Sequence, residues 1–252
     1  MDYLAVTALS HEGLVREHNE DSLLVGPWTT PATVTQTPQT VYFPLAEPVV
    51  VGVADGLGGH PAGEVASALA VQELARAGPT MTDESSVRAA LLACNDTVYA
   101  AAERQPEWGG MGTTVAGVVV SGDDVIVFNV GDSRVYTFAD GALHQVSVDD
   151  NPPLAPGQTH TSVLTQTIGG HPGDRVEPHV STHAHTRHGT FLVCSDGLSD
   201  VVDSDAIGAI LRRNRGAKAT YQLWRAAIDN GGPDNITIVV AELRTSDDQD
   251  GA

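Results

Sequence analysis

The stretch VVVGVADGLGG, residues 49–59, joins a run of apolar, mostly β-branched residues to an aspartate in a glycine-rich turn. A continuous apolar run bounded by turn residues predicts a buried strand, so Asp55 should be fixed at the end of one. Four other acidic stretches are built in a similar way, and most of them adjoin apolar runs. They are REHNED at 16–21, GDSR at 131–134, SDG at 195–197 and DN at 234–235. The chain is therefore expected to hold carboxylates at the ends of several separate strands.

Rigid carboxylates that converge from separate strands suit a hard divalent cation. Mg²⁺ and Mn²⁺ prefer oxygen ligands in an octahedral shell that water completes, whereas soft cysteine ligands favour other ions. Two such ions, roughly 3.5 to 4 Å apart, can share a bridging hydroxide, so that a nucleophile forms at neutral pH without a protein base. The pattern therefore predicts a metal-dependent hydrolase that needs no catalytic serine or cysteine.

The composition is that of a globular protein with a sizeable core. The 252 residues are 41% hydrophobic and 18% charged, with a formal net charge of −19 and 5% aromatic residues. This charge and the low aromatic content disfavour a nucleic acid partner. Cys94 and Cys194 lie far apart in apolar runs, which indicates buried free thiols in a reducing compartment. The sequence has no basic leader and no apolar run of about 18 residues, so we expect a cytoplasmic protein without a membrane anchor.

Strand and helix patterns alternate along the chain in hairpins and pairs. Apolar runs predict strands at 3–9, 22–25, 49–54, 114–120, 125–130, 134–138, 176–182, 190–194 and 236–243. Turns at 121–124 and 140–141 predict antiparallel hairpins. Helical spacing marks 63–77, 84–104, 204–213 and 217–229, with Thr82 or Asp83 capping the second helix. Hairpins combined with paired helices predict an α+β layered fold and not a wound βαβ sheet.

The domain organisation is expected to be simple. No internal repeat or long linker divides the chain, which predicts one domain over 1–244 and an acidic, disordered tail at 245–252. The Thr- and Pro-rich stretch 27–48 predicts an exposed excursion between two strands, in the form of an extended hairpin. The Pro-rich stretch 149–161 predicts an irregular loop.

The order of the motifs resembles that of the bacterial metal-dependent serine/threonine phosphatases of the 2C type. The resemblance covers nearly the whole chain, from about Tyr3 to Leu243. Its seven motifs are RxxNED at 16–21, DGLGGH at 55–60 with GE at 63–64 and AS at 66–67, GTT at 112–114, GDSR at 131–134 with Tyr136, LT at 164–165 with Gly169, CSDGL at 194–198, and DNIT at 234–237. A single Asp-Gly pair carries no information, because it is an ordinary turn former. Seven motifs in the order of one family are highly specific.

The resemblance implies a fold, an activity and a cofactor. The fold would be a four-layer αββα arrangement, in which a central antiparallel β-sandwich is flanked by pairs of helices and carries the metal site at one end. The activity would be hydrolysis of phosphoserine and phosphothreonine in proteins. The cofactor would be Mn²⁺ or Mg²⁺, with two ions in a core site and a third near Asp132.

The resemblance also implies roles for individual residues. The catalytic set would be Arg16, Asp55, Asp196 and Asp234. Asp55 would bridge the two ions, the carbonyl of Gly56 would bind one of them, and Asp196 and Asp234 would complete the pair. Asp132, together with Asp196, would hold the third ion. Glu20 and Asp21 would order metal-bound waters, and Arg16 would bind the phosphate with its planar fork.

Other polar residues have simpler interpretations. Arg134 is best explained as an ion-pair partner that holds its hairpin. The GTT stretch at 112–114 is expected to allow close backbone packing near the site. His60, beside the glycine turn, is a candidate to protonate the leaving group, although a surface position is the default for a histidine. An exposed strand edge explains the following histidines better than a zinc site does: His179, His183, His185 and His188.

Three features depart from the family pattern. Leu57 stands where eukaryotic relatives place a histidine that is their proposed general acid. Gln166 stands where bacterial relatives often carry an arginine, so a charged contact is lost. The segment between Gln145 and Leu164 is shorter than the helical flap of many bacterial members, which predicts a more open cleft.

Three functions compete at this level. The first is a phosphoprotein phosphatase, expected to be a monomer, that reverses a serine/threonine kinase on its target proteins. The second is a catalytically silent module of the same fold that binds phosphoproteins, although no metal-binding aspartate is missing. The third is a hydrolase of a small phosphorylated metabolite, because these motifs define the phosphoryl site and say little about the leaving group.

Overall fold

The computed structural model describes residues 2–57, 62–122, 124–153, 161–170, 175–184 and 189–245. The strands are β1 (Tyr3–His11), β2 (Ser22–Val25), β3 (Trp28–Thr30), β4 (Gln39–Pro44), β5 (Val49–Ala54), β6 (Gly112–Thr113), β7 (Val115–Ser121), β8 (Asp124–Val130), β9 (Arg134–Ala139), β10 (Ala142–Gln145), β11 (Ile168–Gly169), β12 (His179–Ala184), β13 (Thr190–Cys194) and β14 (Ile236–Arg244). The α-helices are α1 (Gly63–Ala77), α2 (Glu84–Arg104), α3 (Asp196–Ser199), α4 (Ser204–Arg213) and α5 (Gly216–Asp229).

Two antiparallel sheets of six strands form the centre of the molecule. One sheet has the order β10-β9-β13-β14-β1-β4 and the other has the order β12-β8-β7-β5-β2-β3, while β6 and β11 form a small separate ladder. A valine-rich cluster, which includes Val6, Val51, Val118 and Val239, fills the space between the large sheets. The predicted antiparallel sandwich is thus confirmed.

Helices cover the outer face of each sheet. The α1–α2 pair packs on the second sheet through a cluster that includes Leu74 and Leu91. The α4–α5 pair packs on the first sheet through a cluster that includes Leu211 and Leu223. Because central strands such as β5 and β13 are buried on both faces, they read in the sequence as continuous apolar runs and not as alternating ones. The four-layer αββα architecture is therefore confirmed.

Local sequence signals set several element boundaries. Asp83 caps α2: its carboxylate accepts from the Ser86 amide at 2.7 Å, and the Ser86 hydroxyl lies 3.0 Å from the Asp83 amide. Such a capping box satisfies amides that the first helical turn leaves free. Asp140 and Gly141 both have positive φ, at 52° and 76°, and connect β9 to β10 in the predicted hairpin.

Two predictions for strands were wrong in detail. The stretch 27–48 is not a hairpin, because β3 pairs with β2 in one sheet and β4 pairs with β1 in the other. On β4, Phe43 points into the core between the sheets, which holds this strand at the edge of the first sheet. The strand predicted at 176–182 begins at His179, because Pro178 has no N–H to give to a ladder.

Two further expectations concern the state of the cysteines and the absence of a membrane-spanning segment. Cys94 and Cys194 are buried and free, as predicted. None of the helices in the described ranges combines the length and the apolar character that crossing a membrane requires. Of the acidic tail predicted at 245–252, Thr245 is described and the other residues lie outside the described ranges.

Candidate active site

A cavity of about 490 Å³ opens at one end of the sandwich, where strands from both sheets end. Its walls carry the following charged side chains: Arg16, Glu20, Asp55, Asp132, Asp196 and Asp234. Arg16 is the only lysine or arginine among the described residues that line it. The structure therefore brings together the acidic residues that the sequence placed in separate turns.

The first carboxylate, Asp55, is held at the end of β5 by the GTT stretch. The Asp55 amide donates to the Thr114 hydroxyl at 3.2 Å. The Asp55 carbonyl accepts from the Thr113 hydroxyl at 2.8 Å and from the Thr114 amide at 2.9 Å. The threonines therefore do more than allow close packing, because their hydroxyl groups fix the backbone of this aspartate.

Gly56 follows Asp55 and cannot be replaced by a larger residue without movement. A β-carbon at this position would lie 2.4 Å from the Gly63 carbonyl oxygen and 2.8 Å from that of Glu20. The Gly56 amide itself donates to the Glu20 carbonyl at 3.3 Å. The turn after β5 thus packs against both α1 and the acidic loop before β2.

Asp196 follows β13 and begins α3. The preceding Ser195 hydroxyl donates to Asp21 Oδ2 at 2.8 Å and accepts from the Thr237 amide at 3.0 Å. A β-carbon on Gly197 would lie 2.0 Å from the Asn235 carbonyl oxygen. The ends of β13 and β14 are therefore pressed together, which sets Asp196 beside the Asp234–Asn235 turn.

Asn235 ties the acidic loop to the start of β14. Its Oδ1 accepts from the Glu20 amide at 2.8 Å. Its Nδ2 donates to the carbonyls of Glu12, at 3.1 Å, and His18, at 2.8 Å. The sequence motif contained this asparagine, but sequence reasoning gave it no role. Its contacts join residues far apart in the chain, so only the folded chain reveals that it holds Glu20 and Asp234 together.

Arg16 forms an ion pair across the cavity mouth. Its Nη2 lies 2.7 Å from Asp234 Oδ2, and the two side chains are 42% and 32% exposed. The hydrogen bond to Asp234 raises the pKa of the Arg16 guanidinium above its ordinary value. Arg16 is therefore charged at any physiological pH and stands where it meets an anion entering the cavity.

Asp132 contributes a carboxylate from the turn after β8. Gly131, with φ of 99°, makes this turn, and Asp132 is buried behind it. The Asn151 side chain donates to Asp132 Oδ2 at 3.2 Å. Burial raises the pKa of Asp132 above its ordinary value.

The acidic side chains of the site outnumber the positively charged side chains that line the cavity. Burial, followed by the nearby carboxylates, raises the pKa values of Asp55 and Asp196 above their ordinary value. Burial also raises the pKa of Asp21. Two buried oxygens, Asp21 Oδ1 and Asp196 Oδ1, have no hydrogen-bond partner. Unpaired buried carboxylate oxygens are costly unless a cation meets them, so this donor set fits hard divalent ions.

The side chains are not gathered into a closed metal cluster. In the described ranges no group of three His, Cys, Asp or Glu side chains is close enough to hold an ion as it stands. Asp234 in particular is turned toward Arg16.

Comparisons with known proteins agree with this geometry. A family model described as protein phosphatase 2C matches residues 44–232, which is most of the chain. The chain belongs to the protein phosphatase 2C family.

Two bacterial phosphatases illustrate the similarity of this 2C-family chain to known proteins. The serine/threonine protein phosphatase PstP of Mycobacterium tuberculosis is 32% identical over 95% of this chain, and the match spans 45% of the relative. The chain thus spans less than half the length of that relative. The serine/threonine phosphatase Stp of Listeria welshimeri is 30% identical over 78% of this chain and 84% of its own length.

Solved structures share the fold. A crystal structure of PstP from Mycobacterium tuberculosis is 31% identical, with a TM-score of 0.78 over 96% of this chain and all of the other. The catalytic domain of PstP in complex with two manganese ions has a TM-score of 0.79 at 31% identity, over 97% of this chain and all of the other. The family's fold is therefore present here at nearly full length.

Three further residues that the sequence singled out in this 2C-family chain, Arg134, Leu57 and Gln166, are also described. Arg134 pairs with Asp149 at 2.7 Å, as predicted for a hairpin contact. Leu57 lines the cavity, and its amide donates to the Gly112 carbonyl at 3.0 Å. Gln166 also lines the cavity.

The histidines have other partners or are not described. His183 is hydrogen-bonded to the Ser181 hydroxyl at 2.9 Å, and His179 to Asp150 at 2.8 Å. His60, the candidate proton donor, lies outside the described residues, as do His185 and His188. No histidine lines the cavity within the described part of the chain.

Proposed function

We propose that this chain hydrolyses phosphoserine and phosphothreonine in proteins with the help of two Mn²⁺ or Mg²⁺ ions. The observation that supports this most is the cavity at the end of a 2C-family fold, whose walls carry four aspartates, one of which, Asp196, has a buried oxygen without a hydrogen-bond partner. The PstP catalytic domain, which this chain resembles over 97% of its length, was crystallised with two manganese ions.

The proposal assigns a role to each acidic residue. Asp55 and the Gly56 carbonyl, with Asp196 and Asp234, would hold two ions, which would supply a hydroxide nucleophile and a Lewis acid. Asp132, with Asp196, would bind a third ion. Glu20 and Asp21 would orient water around the ions, and the Ser195 hydroxyl holds Asp21 in place for this task.

Arg16 is assigned to the substrate. Its guanidinium presents parallel N–H donors that match two oxygens of a phosphoryl group. The carboxylate partner of Arg16 in this structure, Asp234, would turn to the ions, which frees the arginine for phosphate. Leu57 supplies no proton, and no histidine lines the described part of the cavity, so protonation of the leaving oxygen falls to water or to a residue elsewhere.

We also propose a domain organisation, a location and a class of substrates for the enzyme. Residues 1–244 would act as one catalytic domain that works as a monomer in the cytoplasm. Its substrates would be proteins phosphorylated by a serine/threonine kinase. The net charge of −19 favours substrates or partners that carry basic segments.

The deciding experiment measures phosphate release from a phosphothreonine peptide with Mn²⁺, with Mg²⁺ and with chelator. Sugar and nucleotide phosphates serve as competing substrates in parallel reactions. Peptide turnover that requires a metal supports the proposal. Preferential turnover of a small phosphate would replace it with a metabolite phosphatase. Absence of turnover, in a protein that calorimetry shows to bind Mn²⁺, would replace it with a phosphoprotein-binding module.

A further inference from the structure

Asp150, in the irregular stretch after β10, has no assigned role in the predicted site, yet its carboxylate has three hydrogen-bond contacts. Its Oδ2 accepts from the Gly131 amide at 2.8 Å. Its Oδ1 accepts from Gln166 Nε2 at 2.8 Å and lies 2.8 Å from His179 Nε2. The side chain is only 8% exposed. One buried carboxylate therefore joins three segments that are distant in the sequence.

The backbone of Asp150 repeats two of these connections. Its amide donates to the Gly131 carbonyl at 3.1 Å, and its carbonyl accepts from the Thr165 amide at 2.7 Å. The next residue, Asn151, donates to Asp132 Oδ2 at 3.2 Å and to the Val163 carbonyl at 3.0 Å. The Gly131–Asp132 turn and the segment 163–166 are thus clamped to each other through these two residues.

The segment 162–167 is a side wall of the proposed catalytic cavity. Thr165 and Gln166 also line a second cavity, of about 660 Å³, which lies behind this wall. A backbone segment with open space on both sides has little packing to hold it. Its position therefore depends on hydrogen bonds. Gln166 exchanges two with the backbone of Glu177, and those of Asp150 and Asn151 connect the wall to the Asp132 turn. Bonds to a charged acceptor such as Asp150 are the stronger kind.

We infer that Asp150 is a positioning residue for the proposed reaction, fixing the wall 162–167 against the Asp132 turn so that the peptide around the phosphorylated residue docks in one orientation. This inference rests on the proposed function and deepens it. Asp150 does not line the catalytic cavity, so it acts through the wall and the turn. A phosphoprotein reaches beyond the phosphoryl site and meets the wall, whereas a small aryl phosphate does not.

The neighbouring Asp149 provides a matched control. It is also a partly buried carboxylate, paired with Arg134 at 2.7 Å and with Gln145 at 2.7 Å. Neither of these contacts reaches the wall. Replacing Asp149 tests what the loss of a structural ion pair in the same loop does to the enzyme.

The test compares Asp150→Asn with Asp149→Asn in the full chain with Mn²⁺. Asparagine keeps the shape of aspartate, but only its Oδ1 can accept a hydrogen bond, so the variant loses the acceptor on one side of the clamp. For Asp150→Asn we expect KM for a phosphothreonine peptide to rise about tenfold, because a wall displaced by a fraction of an ångström misplaces the peptide. KM for p-nitrophenyl phosphate, kcat for both substrates and Mn²⁺ affinity by calorimetry should stay within about twofold of wild type. Asp149→Asn should leave the ratio of the two KM values unchanged.

Hydrogen exchange adds a readout that does not depend on turnover. The amides of 162–167 should exchange faster in Asp150→Asn than in Asp149→Asn and wild type. If Asp150→Asn does not fold, His179→Ala removes one donor to the same carboxylate from the side of the second cavity. It should give a smaller shift in peptide KM, about threefold, in the same direction.

The outcomes separate the inference from the proposed function. A wild-type chain that does not hydrolyse the peptide overturns both. A wild-type chain that does so, with variants whose peptide KM or wall exchange is unchanged, overturns the inference alone. An equal rise in KM for the peptide and the aryl phosphate also overturns it, because the defect would then lie at the phosphoryl site.

Discussion

The two ends of β14 bury acidic residues in opposite ways. Near its last residues, Glu242 is almost fully buried, yet Arg244 lies 2.6 Å from one carboxylate oxygen, and Arg215, 3.9 Å from the other, supplies a positive charge although that oxygen accepts no hydrogen bond. Before its first residue, Asp234 belongs to a group of carboxylates that the protein meets with Arg16 alone among the described residues of the cavity. Burial of an acid is therefore not by itself a sign of function. What indicates function is a group of carboxylates with too few cationic side chains nearby, so that a metal ion must provide the missing positive charge.

The largest expected effect comes from Asp196→Asn, which tests whether the cavity end is built for cations. Turnover of a phosphothreonine peptide should fall about a hundredfold or more, because a neutral amide is a poor ligand for Mn²⁺. The metal-free variant should at the same time be more stable than wild type by about 1 kcal/mol, because burying a carboxyl group beside other carboxylates is costly and a neutral amide avoids this cost. Activity assays and thermal unfolding in chelator measure the two effects.

A drop in both activity and metal-free stability would contradict the comparison between the two ends. It would mean that Asp196 is needed for the fold, as a paired carboxylate is. Calorimetric titration with Mn²⁺ provides the control, since the variant should bind the ion more weakly while retaining its far-ultraviolet circular dichroism.

Glu242→Gln tests the opposite end. The variant should lose about 2 kcal/mol of unfolding free energy, because the hydrogen bond and ion pair with two arginines are weakened and a buried group loses its partner. Denaturant unfolding measures this loss. The kcat and the Mn²⁺ affinity should be the same as in wild type, and a change in either would show that the two ends are coupled.

Arg16→Lys tests the one arginine described at the cavity end. Lysine keeps the charge but loses the planar fork, so KM for a phosphopeptide should rise about tenfold. Steady-state kinetics measure this, and Arg76→Lys on the exposed surface of α1 serves as the matched control. An unchanged KM would remove Arg16 from the phosphate site and leave it as a structural partner of Asp234.

The smallest expected effect is a pH dependence of the metal-free protein. Burial and neighbouring carboxylates raise the pKa of Asp196 to about 8. The folded state therefore holds more protons than the unfolded one, so this contribution to stability is present at acidic pH and is lost as pH rises from about 4 toward 8. In chelator we expect the unfolding free energy to fall as the pH is raised from 5 to 8.

Added Mn²⁺ should reverse this trend. Ions require ionised carboxylates, so the stabilisation that they provide should grow as the pH rises. Thermal unfolding at several pH values, with and without Mn²⁺, measures both trends. Asp196→Asn should flatten the metal-free curve, and a wild-type curve that is already flat would show that the Asp196 carboxyl does not cause the pH dependence.

Much of the fold was predictable because its signals are local. The strands buried on both faces, such as 49–54 and 190–194, appear as continuous apolar runs and were placed to the residue. The start of α2 was placed by its cap at Asp83. The stretch 27–48 was not predictable, since alternation indicates a strand without naming its partner, and β3 and β4 joined different sheets.

The site was predictable to a similar degree. Asp55, Asp132, Asp196 and Asp234 follow strands or begin turns, so their motifs pointed to one end of the sandwich, and the structure does bring them to one cavity. Residues that act by holding others were missed. Asp150 is an ordinary loop aspartate in the sequence, and only its side-chain contacts with residues 16 to 29 positions away make it exceptional.

The pairing of β1 with β14 bears on how the protein is made. Tyr3 lies opposite Arg244 and His11 opposite Ile236, so the first and last strands form one nine-residue ladder at the middle of their sheet. Contacts between such distant residues close a very large loop, which makes them slow to form. On a ribosome, β1 must wait without β14 until the residues through 244 have emerged. Assembly of the sheet, and with it the arrival of Asp234 beside Asp196, is therefore expected to be a late step of folding.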